Sequence, residues 1–194
     1  SEQAADRIRE LAPSKIVVAG GPAALSYGVE TALASLCPKV DRVYGDTRVD
    51  TSLELYRAGG SGWGDTAIVA TGANYADALS VSSYAYHAKA PVFLCDPSPG
   101  LTAAQRTALN GFKHVLVVGG DAAVPSSYVA GLSDVARLQG VTRYETSVEI
   151  ARWAYSNGLH RDGAVFATGA NCPDALGAGP LAGVNGGVVL LVDG

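Results

Sequence analysis

Short apolar runs bounded by glycine alternate along this chain with longer stretches in which apolar residues recur at helical spacing. The runs at 16–19, 42–44, 67–70 and 91–95, and then at 115–118, 137–139, 164–167 and 188–192, predict strands. Most are apolar throughout, the mark of parallel strands covered on both faces, and this puts the chain in the α/β class. Helices are predicted over 4–11, 24–36, 51–57, 76–88, 102–109, 128–132, 147–155 and 173–182. Within 51–57, Leu53 and Tyr56 share one face while Glu54 and Arg57 point elsewhere, and Val148 and Ala151 repeat that face in a later helix.

The elements come in two sets. Thr71-Gly72-Ala73-Asn74, followed by Asp77-Ala78-Leu79, returns as Thr168-Gly169-Ala170-Asn171, followed by Asp174-Ala175-Leu176, at an offset of 97, half of the 194 residues. Arg42, Gly45, Thr47, Arg48 and Thr51 return as Arg137, Gly140, Thr142, Arg143 and Thr146 at an offset of 95, and Gly20-Gly21 returns as Gly119-Gly120 at 99. Retained blocks whose spacing drifts by a residue or two are what a duplication with loop insertions leaves behind. Each copy reads as four helix-strand pairs, and units this small are expected to pack on one another. The segment Asp96-Pro97-Ser98-Pro99-Gly100 excludes helix and central strand and marks the expected boundary between modules 1–97 and 98–194. An exchanged partition, 40–134 with 135–194 completed by 1–39, is the alternative.

Composition narrows the function. A hydrophobic content of 48% with 16% charged residues describes a folded protein, and a net charge of −4 argues against electrostatic capture of nucleic acid. No apolar run approaches the roughly 20 residues that cross a bilayer, so no membrane insertion is expected. Ser1 in place of an initiator Met points to a processed or partial chain. Cys37, Cys95 and Cys172 have no cysteine counterparts in the other copy and no zinc spacing, and are expected to be buried thiols.

Catalytic residues are hard to find. His87, His114 and His160 have no histidine counterparts and no metal spacing, and no G-x-S-x-G elbow occurs. The glycine pairs after the strands at 16–19 and 115–118 lack both the dinucleotide fingerprint and the P-loop lysine, so a tight turn is expected and no cofactor is predicted. Asn74 and Asp77, with Asn171 and Asp174, have the spacing of a helix cap and a first-turn acid, yet they also sit at the carboxyl ends of strands, where α/β proteins bind ligands. Arg48 with Asp50 and Thr51, mirrored by Arg143 with Glu145 and Thr146, reads either as an ion pair to Asp77 or Asp174 or as an anion-holding arginine. Tyr75, whose counterpart is Cys172, reads as a packing residue ahead of a sugar-stacking one.

The block from Val40 to Thr51, the T-G-A-N-x-x-D-A-L block and the strands ending in Gly-Gly resemble the cell wall-binding repeat 2 family. The resemblance is clearest from Arg137 to Thr146 and covers nearly the whole chain. It implies two tandem Rossmann-like modules that anchor a secreted Gram-positive protein, without catalysis or covalent attachment, to an anionic wall polymer of the teichoic or another secondary type. The polymer-binding candidates are then Arg42, Arg48, Arg137, Arg143 and Tyr144 with Asn74 and Asn171, and Asp50, Asp77, Glu145 and Asp174 are strand-end acids of structural role. The family commonly joins three modules, so two module lengths point to a fragment that lacks a third module, a two-module variant, or association with another chain such as a homo-oligomer. Val49-Asp50 stands where the second copy has Tyr144-Glu145, which implies weaker ligand contacts in the first. An enzyme or sensor for a nucleotide or sugar phosphate, and a structural spacer, are the competing functions.

Overall fold

The computed structural model describes residues 1–171 and 173–193 and forms two compact units, Ser1–Ala58 and Gly59–Gly194. Cys172 lies outside the described residues.

The first unit opens with helix α1 (Glu2–Leu11), capped by the Ser1 hydroxyl, and continues as β1 (Ile16–Ala19), α2 (Tyr27–Ala34), β2 (Val40–Val43) and the start of α3 (Arg48–Gly59). Strands β1 and β2 are parallel, with Ile16 beside Val40 and Ala19 beside Val43. The helix predicted over 24–36 begins only at Tyr27, because the amides of Ala24 and Leu25 both turn back to the Gly21 carbonyl.

The second unit contains β3 (Thr66–Thr71), α4 (Ala76–Ser80), α5 (Ser82–His87), β4 (Val92–Cys95), α6 (Ala103–Leu109), β5 (His114–Val118), α7 (Ser126–Val129) and β6 (Val135–Leu138). It ends with α8 (Arg143–Ser156), β7 (Ala164–Thr168), α9 (Pro173–Val184) and β8 (Val188–Val192). Strands β3 to β6 make one parallel sheet in the order β4-β3-β5-β6, and β7 pairs in parallel with β8. The chain is therefore α/β, built of two tandem repeats with small parallel sheets flanked by helices. The middle strands carry the most apolar runs, and 67–70 and 115–118 are buried throughout, as expected where both faces are covered. Ile68, Leu116, Val118, Val81 and Tyr84 form the centre of the core with Ile150 and Ala154 of α8.

Segment 96–100 is irregular, as its prolines require, but the strands on either side of it, β4 and β5, both pair with β3. The helix expected over 76–88 divides at Val81, where the hydroxyls of Ser80 and Ser82 bond the carbonyls of Ala76 and Leu79 and compete with the helical ladder. Helices α3 and α8 begin three or four residues before the predicted starts at 51 and 147, for a reason that lies in their caps.

Candidate functional site

The turn after β5 is fixed by its own arginine. Gly119 has φ +99° and its amide bonds the Leu138 carbonyl, while Arg137 Nη1 donates to Gly119 O at 2.7 Å and Nη2 to Val124 O at 2.8 Å. The turn after β1 repeats this, with Gly20 at φ +125° and Arg42 Nη1 donating to Gly20 O at 2.7 Å. Arg42 also bonds Glu30 at 2.7 Å, lies 5.6 Å from the Tyr27 ring and leaves 7% of its side chain exposed. The glycine pairs are thus tight turns, and Arg42 and Arg137 spend their donors on the carbonyls of those turns.

The next retained block caps a helix. Thr142 Oγ1 accepts from the Glu145 amide, Glu145 reaches back to the Val141 amide at 2.6 Å, and Thr146 Oγ1 accepts from the Gly140 amide at 3.0 Å. At the start of α3, Thr47 Oγ1 accepts from the Asp50 amide, Asp50 accepts from the Thr47 amide at 3.1 Å, and Thr51 Oγ1 accepts from the Gly45 amide at 3.1 Å. The shorter Asp50 closes a capping box, whereas the longer Glu145 reaches one residue further upstream. A Cβ at Gly140 would lie 2.2 Å from the Glu145 Cβ, and one at Gly45 would lie 2.3 Å from the Asp50 Cβ. Asp50 and Glu145 are helix caps.

Arg143 follows Thr142 and is exposed. Its Nη1 donates to Gly169 O at 2.7 Å and its guanidinium lies 5.8 Å from the Tyr75 ring, whose hydroxyl donates to Ala170 O at 2.9 Å. Tyr75 therefore ties the β3 loop to the β7 loop and supports Arg143, a positioning role that no sequence signal marked, since its counterpart is Cys172. Among the described residues no ion pair joins Arg143 to Asp77 or Asp174. Arg48, the counterpart of Arg143, is the first residue of α3 and is also exposed. Tyr144 packs its ring against Ala76, Ala167, Ala175 and Leu191 and donates its hydroxyl to Asp193 at 3.3 Å. Burial, and then the Asp193 carboxylate, push that phenol above its usual range.

Asn74 accepts from the Ala76 amide at 3.2 Å, which forms an Asx turn one residue before the cap position. Asn171 has Pro173 at the matching place, which carries no N–H, and Asn171 is exposed. The two acids differ as well: Asp174 is exposed, whereas Asp77 is buried beside Gly119, where a Cβ would sit 2.5 Å from Asp77 Oδ2. Desolvation raises the Asp77 carboxyl above the usual range, opposed by the charge of Arg143.

These pieces meet in a cleft of about 240 Å³ whose walls include Asn74, Asp77, Gly120, Gly140, Thr142 and Arg143. Strand β3 is followed by β4 on one side and flanked by β5 on the other, so the cleft lies at the carboxyl ends where the strand order reverses, the place where open α/β sheets bind ligands. It brings together Asn74, Asp77 and Arg143, while Arg137 and Tyr144 stand outside its lining and Asn171 and Asp174 belong to the β7 loop and α9. Among the described residues no group of three His, Cys, Asp or Glu could hold a metal ion, and no helix is long and apolar enough to cross a membrane.

The profile of cell wall binding domain 2 (CWB2) matches residues 42–129 and 137–194. Over 190 residues the chain is 24% identical to the N-acetylmuramoyl-L-alanine amidase LytC of Bacillus subtilis, covering 97% of this chain and 37% of that protein. It is 29% identical over 193 residues to the amidase enhancer of the same organism, covering 96% of this chain and 25% of that one. The chain thus spans well under half the length of the curated relatives it matches. Among solved structures, Cwp8 from Clostridium difficile superposes with a TM-score of 0.81 at 29% identity, over 94% of this chain and 32% of that one. Cwp6 from the same organism has a TM-score of 0.68 at 23% identity, over 77% of this chain and 24% of its own, a likeness of fold.

Proposed function

Because the chain belongs to the cell wall binding domain 2 family, a family of binding modules of bacterial cell-wall proteins, we propose that it holds a secreted protein non-covalently on an anionic wall polymer and catalyses nothing itself. The observation that carries this reading is Arg143. A guanidinium has five N–H donors, and among the described residues Arg143 commits one of them, to Gly169 O, while standing exposed on the wall of the strand-end cleft. A phosphate or carboxylate of the polymer would take the outward donors, with the Asn74 amide beside it as a second polar contact. Arg48, Tyr144 and Asn171 are proposed as accessory contacts, and Arg42 and Arg137 as residues that hold the surface in shape.

For the modules we propose one unit built on β3 to β6, which share one sheet across the 96–100 segment and so run past the boundary expected at 97–98. A further module or a second copy is the proposed partner of β7, which among the described residues pairs with β8 alone. Phe166 on that strand is 65% exposed, whereas its counterpart Val69 is fully buried.

The experiment is the Arg48→Ala, Arg143→Ala double variant, checked for folding by circular dichroism and then for retention on purified walls. A lost charge-assisted hydrogen bond is worth about 1.5–3 kcal/mol, so affinity should fall roughly tenfold or more. Full retention by the folded variant would overturn the assignment of these arginines.

A further inference from the structure

The geometry points to a second ligand site, a cleft of about 790 Å³ at the amino ends of β3, β4, β7 and β8, and we infer that it binds a carboxylated sugar. The inference does not rest on the role of Arg143, which lies outside this cleft. Its volume falls within the roughly 300–1,000 Å³ of small-molecule sites.

The cleft is built twice from the same piece of sequence. At the offset of 97, Tyr86-His87-Ala88-Lys89 corresponds to Gly183-Val184-Asn185-Gly186, and Trp63 corresponds to His160. All of these line the cleft except Ala88. The two halves have diverged in opposite directions. The first copy supplies Trp63, Tyr86, His87 and Lys89, and the second supplies Gly183 and Gly186, which leave the hollow open, beside His160, Val184 and Asn185. Gly183 is necessary to this arrangement, since a Cβ there would lie 2.9 Å from the Tyr86 Cβ.

Lys89 is the departure that asks for a reason. Helices α5 and α9 end identically: the Ala90 amide bonds Ala85 O at 2.8 Å and the Gly187 amide bonds Ala182 O at 2.8 Å, each across a left-handed residue. In α9 that residue is Gly186, at φ +68°, the usual choice. In α5 it is Lys89, at φ +49°, a conformation that costs a side-chain-bearing residue energy and that functional sites retain. The lysine brings a cation into a cleft that also holds His87 and His160, while among the described residues no Asp or Glu lines it, in a chain with 18 acids against 14 Lys and Arg.

The lining suits a sugar that bears a carboxylate. Trp63 and Tyr86, the latter 58% exposed, offer amphipathic aromatic surface to the apolar face of a pyranose ring. Asn185 donates its amide to Leu181 O at 2.8 Å, which leaves its carbonyl oxygen to accept from a sugar hydroxyl. Lys89 and the two imidazoles supply donors for a carboxylate on the ring.

The test is a ¹H–¹⁵N NMR titration of the full chain with N-acetylmuramic acid, with N-acetylglucosamine as the same sugar lacking the carboxylate and N-acetylglucosamine 6-phosphate as an anionic control. Saturable shifts confined to residues 62–63, 85–89, 160 and 183–187, present with the carboxylated sugar and at least tenfold weaker with the other two, are expected. Lys89→Gly installs the residue the second copy already uses, so the fold is retained with an unchanged or raised Tm, and binding should weaken at least tenfold. An absent or unsaturable response, an equal response to either control, or full binding by Lys89→Gly would overturn the inference.

Discussion

Gly140 and Gly177 show how differently one residue type can be used. At 140 an added Cβ would meet the Glu145 Cβ and the backbone of the capped turn, whereas at 177, inside α9, it would meet nothing within 4 Å among the described residues. Gly140→Ala is expected to cost about 1–3 kcal/mol through overpacking, and Gly177→Ala to stabilise by about 0.5–1 kcal/mol through helix propensity, both measured by chemical denaturation. The arginines divide in the same way. Arg137→Ala removes two donors from turn carbonyls and should cost roughly 1.5–3 kcal/mol of stability, while Arg143→Ala, which removes one donor from a carbonyl, should cost less stability and act mainly on wall binding. Asp77 makes a prediction in pH. Its folded pKa is raised by burial, so the folded chain holds that proton more tightly than the unfolded chain, and its contribution is complete below the unfolded pKa and lost as pH rises through the folded value. Asp77→Asn should therefore gain stability relative to the parent as pH rises from acid to neutral, a difference that urea denaturation at several pH values would read. The sequence showed that Arg42, Arg48, Arg137 and Arg143 recur, but not where they point. Direction depends on whether the arginine ends a strand beside its own glycine turn or begins a helix at the sheet's edge.

At the scale of elements, the retained G-x-T-R-x-[DE]-T block is a device for starting a helix. Thr142→Ala should cost about 1 kcal/mol and fray the first turn of α8, visible as faster amide exchange at 145–147. Among the described residues periodicity located the strands, and the helices apart from the short turn at 60–62, because parallel strands buried on both faces need unbroken apolar runs. It set α3 and α8 too short because an apolar stripe begins only where a helix meets the core, while the cap that starts it is polar. It ran α4 and α5 together because the stripe continues through Val81, whose helical ladder is contested by serine hydroxyls on either side. The prolines at 96–100 signalled an irregular segment, and there is one. That β4 and β5 pair with β3 across it is a long-range matter that local composition does not carry. The cleft was half legible: Asn74, Asp77 and Arg143 were each marked by the repeat, but their convergence needed the strand order.

At the scale of the whole molecule, an acidic chain is proposed to hold an acidic polymer. Screening resolves the conflict, since charges act over about 8–10 Å at ordinary salt and an exposed arginine works locally while distant carboxylates are muted. Repetition of weak contacts along a polymer supplies the avidity that one cleft lacks. Sedimentation of the chain with Gram-positive walls, intact and stripped of their anionic polymers, across a salt series would measure this hold on the polymer. Retention on intact walls that falls steeply with salt and disappears on stripped walls is expected. Retention that survives both stripping and high salt would contradict it.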